Sequence, residues 1–173
     1  MLDRETTEFR DDILERWIEG IIKGYPEETA KFLRSQSDRF ANPVGASLRE
    51  GLAEILDGVL QDIEPYELTS ALDRVIRVRA VQDFEPSAAV GFVFDLRDVL
   101  RKFTGESTGE SLDELDRRIE RLGLCAFDVY MRCREEMWKI RLREIRNQSV
   151  GIMERVAAWR EGREENSEKV PQG

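Results

Sequence analysis

Apolar residues recur every third or fourth position along most of this chain, the spacing that lays one oily stripe along a helix. Between residues 9 and 22 the stripe is Phe9, Ile13, Leu14, Trp17, Ile18, Ile21 and Ile22. Gly24 and Pro26 end it, the glycine by taking a left-handed cap and the proline by breaking the hydrogen-bond ladder. A short helix is expected from Glu27 to about Gln36, burying Phe32 and Leu33. The next starts at Asn42 and Pro43: asparagine can cap an orphan N–H, and proline at the first helical position loses nothing. Its expected buried stripe is Val44, Leu48, Leu52, Ile55, Leu56, Val59 and Leu60. Gly45 and Gly51 within it cost about 1 kcal/mol each against alanine, which points to close approach by a neighbouring helix. Pro65 is expected to open a helix with Leu68, Leu72, Val75, Ile76 and Ala80 inward, ending near Asp83 ahead of Pro86. Residues 87–103 are apolar on nearly every side, so that helix is placed at the centre of the core.

After a glycine- and hydroxyl-rich loop over 104–111, Ser111 and Glu114 form a capping box that opens a long helical pattern. Two stripes share it. Leu112, Leu115, Ile119, Leu122, Ala126, Val129 and Cys133 form the first; Trp138, Leu142, Ile145, Ser149, Ile152, Val156 and Trp159 form the second. The first would continue at Glu136, so the second is displaced by two residues, about 200° around a helix. Either the helix bends near Arg134, or it is one rod of about 70 Å over 111–159, whose far half needs another surface. The rod reading makes Trp138, Leu142, Ile145, Ile152 and Val156 a homodimer seam. No strand-like alternation of useful length occurs, so the fold class is all-α. Residues 1–159 read as one domain and 160–173 as a polar, disordered tail.

Composition narrows the chemistry. The chain has 173 residues, 40% of them hydrophobic and 36% charged, with a net charge of -9, which disfavours nucleic acid and anionic membranes as partners. No run of about 18 apolar residues is present, so membrane insertion is not expected. The N-terminus lacks an apolar signal core, and only two cysteines occur, which together suggest a cytoplasmic protein. There is no histidine, the commonest general base and haem ligand. Cys125 and Cys133 stand about 12 Å apart along one helix, too far for an internal disulfide. They read as small buried hydrophobes, with a redox or intermolecular role as the alternative. Asp113, Glu114 and Asp116 are interspersed with Arg117, Arg118 and Arg121, an ion-paired face rather than catalytic carboxylates. The basic run Arg141, Arg143 and Arg146 is broken by Glu144. Phosphate-loop and serine-elbow motifs are missing. No catalytic residue, metal site or cofactor is therefore expected.

Three blocks carry a family resemblance: YPEETAKFLRSQSDRFANPVGASLREGL, RVRAVQDFEPSAAVGFVFDL and CAFDVYMRCREEMWKIRLREI. They resemble, in order and over about residues 5–158, the RsbRD-type N-terminal domain family of RsbT co-antagonist regulators of bacterial stress signalling. That resemblance implies a globin-like, non-haem, dimeric input domain that signals through its last helix to a C-terminal STAS domain. This chain stops near where such a domain would begin, and is expected to be the input module alone, acting through a protein partner. Phe40, Asn42, Pro43 and Gly45 match the first motif, and Asp83, Phe84 and Pro86 the second, as structural corners. A small apolar, fatty-acid-like ligand is the alternative: Phe92, Phe94, Phe103 and Phe127 could line a pocket where a globin keeps haem.

Overall fold

A computed structural model describes the backbone of residues 2–35, 42–82, 84–104 and 109–168, and side chains over 8–34, 42–82, 84–103 and 113–159. Phe40 and Asp83 lie outside the described residues, as do 105–108 and the side chains of Ser111 and Leu112. The described residues form six helices and no strand: α1 (Leu2–Lys23), α2 (Glu27–Ser35), α3 (Pro43–Leu60), α4 (Thr69–Val81), α5 (Pro86–Thr104) and α6 (Gly109–Glu168). The fold is all-α. Two compact units divide it, residues 1–133 and residues 134–173.

In the first unit α3 packs on α4, and α1 on α5. Trp17 joins α1 to α5: it is fully buried, stacks on Phe92 with ring centroids 6.0 Å apart, and donates its Nε1–H to the Phe92 carbonyl at 2.8 Å. Arg10 adds a two-pronged ion pair from α1 to Asp57 of α3, at 2.6 and 2.8 Å.

The helix ends follow local chemistry. Asn42 accepts from the Gly45 N–H at 2.8 Å and donates its Nδ2–H to the Phe32 carbonyl at 2.9 Å, so one buried side chain caps α3 and ties it to α2. A Cβ on Gly45 would stand 2.8 Å from Asn42 Cγ; the cap itself, not a neighbouring helix, requires glycine there. Gly51 does meet a neighbouring helix, since its Cβ would lie 2.9 Å from Val75 Cγ2 and 3.0 Å from the Ala71 carbonyl of α4. At the far end of α3, Asp62 takes a left-handed φ of 56°. The Ile63 N–H returns to Gly58 O at 2.9 Å, and the Asp62 N–H to Val59 O at 3.4 Å, which closes the helix as a Schellman turn.

Several expectations are corrected. Gly24 shows no positive φ; α1 closes by short-range bonds from Gly24 N to Ile21 O and Tyr25 N to Ile22 O. Phe32, Val44 and Leu60 are about half exposed rather than buried, because each sits beyond the arc its helix presses on the core. Residues 65–68 form a turn, with Leu68 N–H bonded to Pro65 O, and α4 starts only at Thr69. Helix α5 is not enclosed: Ala89, Phe92, Val93, Leu96 and Leu100 are buried, while Phe94 faces outward. Helix α6 has no break at Arg134 and runs from Gly109 to Glu168.

Candidate functional site

In the first unit α6 buries Ile119, Leu122, Ala126, Val129 and Cys133, the described members of the first stripe apart from half-buried Leu115. Charged contacts hold this stretch to its neighbours: Arg118 to Asp62 at 2.9 Å, Arg121 to Glu64, and Asp116 to Arg101. With Arg117–Glu114 at 2.6 Å, they form the expected ion-paired face, although most of the pairs run between elements instead of along the helix. All are solvent-accessible, so solvent screening leaves each of them a weak contributor.

On its other side this part of α6 forms a groove with α5. Pro86, Ser87, Val90, Gly91 and Phe94 meet Glu120, Gly123, Leu124 and Phe127 around a space of about 690 Å³. Its floor is set by a close approach: a Cβ on Gly123 would stand 2.7 Å from Phe94 Cζ, so only glycine lets that ring lie down. Gly91 has open space where a Cβ would be. Leu124 is 72% exposed, and Phe127 and Phe94 are partly exposed with it. Ser87 and Glu120 are the polar side chains of this lining, and the rest of the groove is apolar.

The four phenylalanines expected to share a pocket are divided. Phe94 and Phe127 line the groove. Phe92 lies on the opposite face of α5 against Trp17. Phe103 packs edge-on to Phe9 at 5.2 Å, with the Arg16 guanidinium 4.7 Å from its ring centre. The Phe92 and Phe103 placements follow from helical phase, since neither shares a face with Phe94.

The cysteines stay apart. Cys133 is buried with its Sγ 3.4 Å from Asp73 Oδ1, and Cys125 is half-buried with its Sγ 3.4 Å from the Pro65 carbonyl. Burial pushes the Asp73 carboxyl up, but hydrogen bonds from Arg77 and Cys133 outweigh it and hold the group below its usual value. Among the described residues, no cluster of three or more His, Cys, Asp or Glu is placed to hold a metal ion.

The second-motif corner reveals a residue that the sequence reading passed over. Arg79 of α4 is 5% exposed, and its guanidinium lies over Phe84 at 4.5 Å, Tyr25 at 5.3 Å and Phe92 at 5.8 Å. Phe84 thus serves as the lid of a cationic cage, set edge-on to Tyr25 at 5.0 Å. Pro86 begins α5 just beyond it.

The second unit is described by its own helical stretch. Every described side chain in it is exposed or half-exposed. Trp138 is 57% exposed, Ile145 53% and Ile152 52%, and Leu142, Val156 and Trp159 are similarly open. Spacings of three and four put them on one face of the helix.

The described residues thus combine an all-α fold, an apolar groove between α5 and α6, and an exposed apolar helix face. The sequence matches the family described as the RsbT co-antagonist protein rsbRD N-terminal domain over residues 11–145, and the chain belongs to that family. It is also similar to a protein of Archaeoglobus fulgidus described only as uncharacterized, with 26% identity over 140 residues, covering 78% of this chain and 83% of that one. No solved structure matches. No helix among the described residues is long and apolar enough to cross a membrane.

Proposed function

We propose that this chain is a non-catalytic input module of a signalling system, working in the cytoplasm as a homodimer and passing its state to a protein partner. One observation carries the reading: the open apolar face from Trp138 to Val156. Five large side chains in one row form a patch that monomers seldom leave in water. Burying it at about 25 cal/mol per Å² supplies a substantial share of an interface. Membership of a family described as the N-terminal domain of a co-antagonist supports a regulatory role. A globin-like arrangement belongs to the same reading.

Tryptophan accessibility tests it. Trp17 is buried in any state, whereas Trp138 and Trp159 are open in the single chain. Acrylamide should therefore quench fluorescence strongly in dilute protein and about two- to threefold less at tens of micromolar, where a seam would shield both rings. Quenching independent of concentration over that range, with a monomer's mass, would remove the homodimer reading.

A second reading rests on the α5–α6 groove, whose volume of about 690 Å³ falls in the range of small-molecule sites. A fatty-acid-like ligand would lie along Val90, Phe94, Leu124 and Phe127. Native mass spectrometry of protein from its own host should then show a retained apolar mass, lost in Gly91→Phe. A clean apo mass, with no thermal shift across a lipid panel, would exclude it.

A further inference from the structure

The Arg79 cage is incomplete. Nη2 of Arg79 donates to the Ala88 carbonyl at 2.9 Å, but Nε and Nη1 are buried without a hydrogen-bond partner. The Tyr25 hydroxyl is likewise buried and unpartnered. It lies near enough for the guanidinium to pull its pKa down, yet makes no well-aligned bond with it; burial dominates and keeps the phenol protonated above its usual range. Among the described residues, no carboxylate forms an ion pair with Arg79. Burial raises the Asp95 carboxyl while Arg79 pulls it back down, so the two groups feel each other without forming an ion pair.

Three aromatic faces attract a cation, but they accept nothing from the N–H groups at its edge. A water molecule would satisfy those donors but give the buried guanidinium no ion-paired counter-charge. An anion does both. We propose that the cage between α1–α2, α4 and α5 holds a small monovalent anion, a halide or the carboxylate of a short organic acid, against the free guanidinium N–H groups of Arg79 and the hydroxyl of Tyr25. One cation and one phenol donor match a single negative charge, and the rings of Phe84 and Phe92 add no further hydrogen-bond donor for a second one. The site stands independently of the homodimer reading.

Such an anion would tie the α1–α2 turn to the α4–α5 corner, so its loss should be read in the stability of the full chain. The test is the thermal midpoint at constant ionic strength, with sodium gluconate replaced stepwise by sodium chloride or, in a second arm, sodium formate. Gluconate, a large and heavily hydroxylated carboxylate, serves as the reference anion. Chloride is expected to raise the midpoint by about 3–5 °C at roughly tenfold above its dissociation constant. A formate response stronger than chloride would assign the site to a carboxylate, and the reverse to a halide. Tyr25→Phe, which removes one donor and little volume, should weaken the apparent affinity several-fold, and Arg79→Met should abolish the response. If Arg79→Met does not fold, the wild-type and Tyr25→Phe titrations still decide. Equal midpoints in all three salts would overturn the proposal. So would a chloride response unchanged in both variants, or one that emerges only in Asp83→Asn, which would make Asp83 the natural counter-charge.

Discussion

Trp17→Ala is expected to destabilise the first unit by about 3–5 kcal/mol, the range for removing a large aromatic side chain from a core that cannot collapse around the gap. The residue is fully enclosed, its ring stacks on Phe92, and its N–H reaches the Phe92 carbonyl at 2.8 Å. Losing it leaves α1 and α5 without their central contact. Trp17→Phe separates the effects: the ring mostly remains, the hydrogen bond goes, and the cost should fall to about 1–2 kcal/mol. Urea unfolding followed by circular dichroism reads both without depending on the lost fluorophore. A cost under about 1 kcal/mol for the alanine variant would mean that Trp17 does not sit where α1 meets α5.

The second large effect is on association. Ile145→Glu together with Ile152→Glu puts two carboxylates in each copy of the open face, four in a dimer. Like charges facing each other across a seam, on top of the lost apolar contacts, should raise the dissociation constant at least about 100-fold. Both residues are more than half exposed in the single chain, so the substitutions should leave the monomer folded, with its helical signal and unfolding midpoint nearly unchanged. If the double variant instead unfolds, those side chains are covered by their own chain.

Much of the architecture was legible in the residues, for reasons that can be named. The start of α3 was fixed by Asn42 and Pro43, whose chemistry is local: a cap acceptor, followed by a residue with no N–H to lose. The change of phase after Cys133 was legible too, since the buried run on α6 ends at that residue. Less could be read where a pattern fits two outcomes. Apolar residues surround α5 so completely that periodicity could not tell its core face, with Phe92, from its groove face, with Phe94. Arg79, between Val78 and Ala80, carries no local signal of its role, because nothing near it in the chain says that Tyr25, Phe84 and Phe92 will close around it. Only the tertiary fold brings those rings together from three segments. The unsatisfied N–H groups are likewise a property of the assembled corner.

Sedimentation equilibrium of the native full chain at tens of micromolar tests the central claim most directly. The account predicts twice the chain mass, falling to a single chain mass in Ile145→Glu/Ile152→Glu with helicity retained. A native protein that sediments as a monomer at those concentrations would contradict it.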